Sequence, residues 1–245
     1  MPVSALLNSD AAERYPEIVA AGPARGWAFL GHGRTNSRLW TGMDLATERA
    51  ELIAIRDVPT EATGAAPRGW LGPVLTQTEH TVDLLAELGF TYSLDWIADD
   101  FPFPVEVSSG VPFASVPYSI EIDDIPVFVD QGLPPSAFTQ LVADQFATLR
   151  EQSAEPGAVS ALSLHPFLVG QPFRAKALAE ALAVISGHPD VWYADSDRIA
   201  EWYLAEGPAA DRREIDRFHD QGFTPSRRPS LRRDIQWQRR PLRCA

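Results

Sequence analysis

The chain has 245 residues, of which 45% are hydrophobic and 22% are charged, a balance typical of one large α/β domain or two small ones. Its formal net charge of −12 argues against a nucleic-acid or anionic-membrane partner, and its single cysteine, Cys244, excludes an intramolecular disulfide and a cysteine-based metal site. The first residues lack the pattern of a signal peptide, and no window approaches the roughly 20 apolar residues of a membrane span, so we expect a cytoplasmic protein.

Short apolar runs bounded by turn residues alternate along the chain with amphipathic segments. The runs predict buried parallel strands at residues 3–7, 27–30, 69–71, 92–94, 113–116, 159–164 and 191–193. The amphipathic segments predict helices at residues 10–24, 47–55, 78–88, 135–150, 174–185 and 195–204. Repeated strand–helix units indicate an α/β fold with a parallel sheet, either open or closed into a barrel.

Two regions depart from this alternation. Residues 97–135 contain seven prolines, which predicts a long functional excursion at the strand ends rather than a linker. Residues 207–245 contain ten Arg against five Asp or Glu and have little apolar periodicity, which predicts a disordered basic tail. The sequence therefore predicts one domain at residues 1–206, followed by this tail.

Two histidines follow predicted strands, at the edge where ligands of parallel α/β folds gather. His32 lies between two glycines directly after the strand at 27–30, and His165 follows the strand at 159–164 and precedes Pro166. Histidine is the natural acid or base near neutral pH, so both are candidate catalytic residues. The alternative for each is a structural histidine, bonded to the backbone or packed in the core.

Carboxylates and one aromatic residue occupy similar positions. Asp95, Asp99 and Asp100 follow the strand at 92–94, where they could fix the tautomer of a histidine or bind a cation. The acidic residues at 121, 123 and 124 form a second group, which we interpret as surface charge. Trp70 ends another strand and either lines a pocket or packs in the core.

The ordered set of motifs resembles the NodB-like polysaccharide deacetylases, and most of all the branch that includes the uricolytic, cyclic-amidase-type allantoinases. The match runs from about residue 2 to residue 204 through the segments at 31–37, 67–73, 95–100, 116–118 and 164–166. The resemblance implies a distorted (β/α)7-type barrel. It also implies a hydrolase for non-peptide carbon–nitrogen bonds in a carbohydrate or ureide substrate.

The resemblance also implies roles for individual residues. In metal-dependent members one Asp and two His bind a divalent cation such as zinc, a second Asp acts as base on the bound water, and a late His acts as acid. By this comparison His165 is the general acid, His32 is a site histidine and a candidate metal ligand, and Asp95 or Asp99 orients His165. The residues expected to contact the substrate are Arg34, Trp70, Asp100 and Tyr118.

Three departures from the family pattern bear on the metal. Residues 1–3 align with the second strand of the family, so the first strand, which carries two aspartates, is expected to be missing. The second metal histidine falls at Asn36, a poor zinc ligand. The arginine before the proline of strand four falls at Ala66. The cofactor is therefore either a divalent metal such as zinc or none, with catalysis by acid–base chemistry.

Other readings of the same sequence stay open. The chain is alternatively a catalytically impaired remnant or ligand-binding module of the same fold, or a fragment of a longer active enzyme. A third reading is an unrelated α/β barrel whose motifs match by coincidence. We expect a small-molecule or sugar substrate, and the unpaired strand edge left by the missing strand makes a homo-oligomer plausible.

Overall fold

A computed structural model describes residues 1–153 and 157–207, and in these ranges six strands form one sheet in the order β1-β2-β3-β4-β6-β5. The strands are β1 (Ser4–Leu7), β2 (Ala28–Gly31), β3 (Gly69–Trp70), β4 (Tyr92–Ser93), β5 (Phe103–Pro104) and β6 (Ala114–Ser115). All pairings are parallel except that of β5 with β6, which is antiparallel. The prediction of a parallel α/β sheet is confirmed, and five of the predicted strands overlap observed ones.

Helices follow most of the strands. They are α1 (Ser9–Arg14), α2 (Pro16–Ala21), α3 (Leu45–Thr63), α4 (Thr81–Glu87), α5 (Pro135–Gln152), α6 (Pro166–Val169), α7 (Pro172–Ile185) and α8 (residues 196–207). Short 3-10 turns cover Pro23–Arg25 and Pro73–Leu75, and a π-helical turn covers Pro126–Asp130. The longest helix, α3, begins at the carboxylate of Asp44, which accepts hydrogen bonds from the backbone of Ala46 and Thr47, and it ends at Gly64.

The structure corrects several predicted boundaries. Residues 159–164 and 191–193 form no regular strand. The first of these segments bonds to two separate segments outside the sheet, through Val159 N–H to the Asp100 carbonyl and through the Ser163 carbonyl to Asp124 N–H, so it has no continuous strand partner. The predicted helix at 10–24 divides at Pro16, whose missing N–H cannot continue a helix. Strand β5 lies inside the proline-rich excursion, at residues for which no strand was predicted.

The sheet is covered on both faces, as expected for parallel strands. Successive residues of a strand point to opposite faces, so Trp70 packs with α3 and α4 while its neighbour Leu71 packs with α8. The first cluster contains Trp40, Leu52, Ile55, Trp70, Leu84, Leu85, Phe90 and Phe113, and the second contains Leu30, Leu71, Tyr92, Leu94, Ala114, Val116, Ala200 and Tyr203. A third cluster joins α5 to α7.

Tyr92 ties the amino end of the sheet to α8. Its hydroxyl donates to the Asp197 carboxylate over 2.7 Å and lies 2.7 Å from the hydroxyl of Ser196, which in turn lies 2.8 Å from the hydroxyl of Ser4. The Tyr92 ring lies directly on Gly69, where an added Cβ atom would overlap it. These contacts fix the end of the sheet opposite the carboxyl ends of the strands.

Two further sequence predictions concern the chain outside this core. Across the described ranges, no helix combines the length and the apolar character needed to cross a membrane. The predicted basic tail at 207–245 lies, apart from its first residue, outside the described residues.

Candidate active site

The titratable side chains of the site lie after two strands of the sheet and before one helix. His32 follows β2 directly, Asp95 lies two residues after β4, and His165 immediately precedes α6. His165 lies near enough to His32 for its charge to contribute to lowering the pKa of His32. The structure thus brings both predicted histidines to one site.

His32 presents one ring nitrogen to the backbone. Its Nδ1 lies 2.6 Å from the carbonyl oxygen of Leu71. Because a carbonyl can only accept, we infer that Nδ1 carries the proton and that the neutral ring keeps a lone pair on Nε2. Burial lowers the pKa of His32, the Leu71 hydrogen bond partly opposes this, and the nearby His165 lowers it further. His32 is therefore poised as a neutral base or ligand.

His165 is held at two points by one buried carboxylate. Its Nδ1 donates to Asp124 Oδ1 over 2.6 Å, and its backbone N–H donates to Asp124 Oδ2 over 2.7 Å. The hydrogen bond to Asp124 raises the pKa of His165, burial opposes this, and the charges of Asp124 and Asp123 raise it further. The Nε2 atom on the other side of the ring is therefore poised to donate a proton.

The prediction that Asp95 or Asp99 orients His165 is wrong, because Asp124 occupies that position. Asp123 and Asp124 were interpreted as surface charge, yet both are buried, with Asp124 fully shielded from solvent. Their position was missed because they lie in the proline-rich excursion, far from His165 in sequence. The apolar residues Ile122 and Ile125 on either side of the pair are the sequence feature that could have indicated burial.

Asp123 extends the network to Tyr118 and Ser163. The Tyr118 hydroxyl donates to Asp123 Oδ2 over 2.8 Å and lies 2.8 Å from the hydroxyl oxygen of Ser163. The second oxygen of Asp123 accepts from Ile125 N–H over 2.9 Å. Burial raises the pKa of Asp123 and also raises that of Tyr118. Tyr118 thus keeps its proton and holds the carboxylate of Asp123 through a hydrogen bond.

Asp95 forms hydrogen bonds on the His32 side of the site rather than with His165. Its Oδ1 accepts from Gly72 N–H over 2.6 Å, and its Oδ2 accepts from the Ser93 hydroxyl over 3.0 Å. Burial raises the pKa of Asp95 to about 6, and these two hydrogen bonds oppose the increase. The side chain of Trp70 acts in the same direction as the two bonds, but its indole nitrogen has no hydrogen-bond partner of normal geometry.

Trp70 does not line a pocket. It is fully buried in the core, where its ring packs edge-on against Trp40 with ring centroids 5.1 Å apart and against Phe90 at 6.3 Å. The core alternative for this residue is therefore correct. Its side chain points to the face of the sheet that α3 and α4 cover, which explains its burial.

The remaining predicted residues lie at two cavities beside the site. Arg34 pairs with Asp10 over 2.8 Å and borders an open groove of about 350 Å³ that also includes Asn8, Tyr15 and Asn36. Asp99 and Asp100 border a polar cavity of about 210 Å³ together with Tyr118, Ser119, Glu121 and Gln145. Through Tyr118, the second cavity adjoins the Asp123–Asp124–His165 network.

Three residues offer ligand atoms that a cation could use. Asp123, Asp124 and His165 each present one within 4.8 Å of the others. However, every oxygen of the two carboxylates already accepts a hydrogen bond from the protein, and Nδ1 of His165 is itself a donor to Asp124. His32 does not belong to this group, so the described residues do not reproduce the one-Asp, two-His set that the resemblance implies. The side chains of Asp123, Asp124 and His165 are therefore better arranged to share a proton than to coordinate a cation.

The fold defines a class. A mainly parallel α/β sheet covered by helices matches the fold of the NodB-like deacetylases. Comparison with protein-family models gives no match. Comparison with curated proteins gives none either.

Solved structures give clear matches. A Mycobacterium smegmatis protein designated a polysaccharide deacetylase is 31% identical, with 84% of this chain and 73% of that chain covered at a TM-score of 0.75. A Pseudomonas aeruginosa PAO1 protein of the same designation is 30% identical, with coverage of 84% and 69% and a TM-score of 0.78. PuuE allantoinase is 28% identical, with coverage of 85% and 69% and a TM-score of 0.78. The chain belongs to the polysaccharide deacetylase family, as the motifs predicted.

Proposed function

We propose that this protein hydrolyses a non-peptide carbon–nitrogen bond with His32 and His165 as an acid–base pair. The observation that carries the proposal is that the two rings have different partners, because Nδ1 of His32 lies against the neutral Leu71 carbonyl whereas Nδ1 of His165 lies against the buried Asp124 carboxylate. In agreement, burial lowers the pKa of His32 and the hydrogen bond to Asp124 raises that of His165. Pairs of titratable groups whose surroundings separate their pKa values commonly divide the roles of base and acid.

The protein's own residues suffice for each proton transfer. In its neutral form, His32 accepts a proton from water through Nε2 as the water oxygen bonds to the carbonyl carbon. The resulting tetrahedral species breaks its carbon–nitrogen bond as Nε2–H of His165 donates a proton to the leaving nitrogen. Asp124 stabilises the protonated form of His165 before this step. Exchange with solvent then returns His32 to its neutral form and His165 to its protonated form.

The substrate class is a ureide ring or an N-acetylated sugar. The relatives designated polysaccharide deacetylase and allantoinase support this choice. The polar cavity bordered by Asp99, Asp100 and Tyr118 is the proposed substrate-contact surface, since hydroxyl and amide groups of either substrate can donate to its carboxylates. Arg34, held by Asp10 at the neighbouring groove, is a second proposed contact.

The test is hydrolysis of allantoin and of N-acetylglucosamine oligomers by the full chain. Each assay is run with EDTA and with added zinc, so that a metal requirement is seen directly. The variants are His165→Gln and His32→Gln, with His80→Gln as a matched control because His80 lies on the surface beside Glu79. Loss of a general acid or base lowers turnover by about 10²- to 10⁴-fold.

We expect turnover of one substrate class, unchanged by EDTA, lost in both site variants and retained in the control. Turnover that needs zinc would overturn the metal-independent proton-transfer scheme. No turnover on any substrate by the folded chain would favour a ligand-binding module or an impaired remnant. Binding of the same compounds, measured by calorimetry, would then distinguish these two.

A further inference from the structure

A single peptide group connects Asp95 to His32. The carbonyl oxygen of Leu71 lies 2.6 Å from Nδ1 of His32, and the amide nitrogen of Gly72 lies 2.6 Å from Oδ1 of Asp95, to which it donates. These two groups belong to the same peptide bond, which is planar, so the N–H and the C=O point in opposite directions. Any rotation of this peptide that moves the N–H from Asp95 also moves the carbonyl from His32.

Asp95 is itself fixed in place. Only 6% of the residue is exposed, and its second carboxylate oxygen accepts from the Ser93 hydroxyl over 3.0 Å. The same hydroxyl accepts from the backbone N–H of Asp95 over 3.1 Å. Gly72 is tightly packed as well, since an added Cβ atom would lie 2.5 Å from the carbonyl oxygen of Thr76. The carboxylate therefore anchors the peptide from a rigid position.

We propose that Asp95 is a positioning residue that acts on His32 through the Leu71–Gly72 peptide. Its carboxylate accepts the Gly72 N–H, and this holds the Leu71 carbonyl against Nδ1 of His32. The carbonyl in turn keeps the proton on Nδ1 and the lone pair on Nε2, directed away from the backbone. Hydrogen bonds in a chain polarise one another, so the contact with Asp95 also makes the Leu71 carbonyl a better acceptor.

This role differs from the one expected from the sequence, where Asp95 was a partner of His165. It needs no contact between Asp95 and substrate. Removing the carboxylate would leave the buried Gly72 N–H without an acceptor, and the peptide would be free to rotate toward another one. His32 would then lose the partner that selects its tautomer.

The experiment uses the full chain labelled with ¹⁵N in its histidines. The ¹⁵N shifts of each ring distinguish protonated from unprotonated nitrogens, and His32 is assigned by comparison with His32→Gln. We expect Nδ1–H to dominate in the wild type and in Asp95→Asn, whose amide oxygen can still accept from Gly72. In Asp95→Ala we expect a mixture of the two tautomers. Asp144→Ala is the control, since it removes an exposed carboxylate on α5 and should leave the tautomer of His32 unchanged.

The tautomer readout needs no substrate, so it is separate from the test of the proposed function on which the activity readout rests. Where a substrate is found, Asp95→Ala should lower kcat by on the order of 100-fold at similar KM, because a misplaced group loses its alignment rather than its contribution to binding. A folded Asp95→Ala protein with the wild-type tautomer pattern would overturn the proposal. So would loss of that pattern in Asp95→Asn. Asp95→Ser, whose hydroxyl is too short to reach Gly72, replaces the alanine variant if circular dichroism shows that alanine prevents folding.

Discussion

Replacing Asp95 with Asn should make the protein more stable at neutral pH. Burial raises the pKa of Asp95 from 3.8 to about 6, a shift of about two units. Each unit corresponds to 1.36 kcal/mol, so the ionised carboxylate reduces the free energy of unfolding by about 3 kcal/mol at pH 8. Asn has nearly the same shape, its amide oxygen can accept from Gly72 N–H, and its NH2 group can donate to the Ser93 hydroxyl oxygen, so the uncharged variant avoids this cost.

The raised pKa of Asp95 makes the stability difference between the variant and the wild type depend on pH. Between pH values of about 4 and 6 the folded chain holds the Asp95 proton more tightly than the unfolded chain does. The stability contributed by the neutral acid is therefore complete below this window and lost as the pH rises through it. All other titrating groups are shared by the two proteins and cancel in the difference. The Asn variant should match the wild type near pH 4 and exceed it at pH 8.

Urea unfolding of both proteins at pH 4, 6 and 8 measures this difference. Asp144→Asn serves as the control, because Asp144 is exposed on α5 and its replacement should change the free energy of unfolding by no more than about 0.5 kcal/mol at any pH. An advantage of Asp95→Asn that is equal at pH 4 and pH 8 would refute the reasoning. A variant less stable than the wild type at pH 8 would also refute it.

Three further predictions concern the site and the core. In Asp124→Asn the pKa of His165 should fall, so the alkaline limb of the pH–rate profile should move to lower pH; an unmoved limb would contradict the acid role. Trp70→Ala should lower the free energy of unfolding by about 3–5 kcal/mol, whereas exposed Trp192→Ala should cost about 1 kcal/mol at most; equal losses in chemical denaturation would argue against a core role. Tyr92→Phe should cost about 1–3 kcal/mol by the same measurement while leaving turnover unchanged, and a neutral result would show that its two hydroxyl contacts are not stabilising.

The parts of the fold that sequence reasoning predicted share a simple cause. Five strands were predicted from apolar runs with helices or turns on both sides, at 3–7, 27–30, 69–71, 92–94 and 113–116. Because both faces of such a strand are buried, its sequence is nearly continuously apolar and can be recognised. His32 could be placed because the end of a parallel strand is the usual site of function, whereas the strand predicted before His165 is not formed. The order of the motifs also indicated the polysaccharide deacetylase family, which the structural relatives confirm.

The partners of the two histidines could not be predicted in the same way. Asp124 is 41 residues from His165 and reaches it from the start of the short helical turn that contains Pro126, which is too short for a periodic pattern to mark burial. The contact of Asp95 with His32 runs through a peptide group, and a sequence contains no information about which way one peptide faces. Residues 159–164 show the same limit, because their apolar character predicted a strand but not the absence of a continuous partner.

The contact between Gly69 and Tyr92 has a consequence for the natural variation of this chain. The tyrosine ring occupies the space that any side chain at position 69 would need, and its hydroxyl is held in place at the start of α8. A larger residue at 69 can therefore be accepted only together with a smaller one at 92, and the two changes should be strongly non-additive. Among relatives, these two positions should covary, with glycine opposite an aromatic ring or a side chain opposite a small residue.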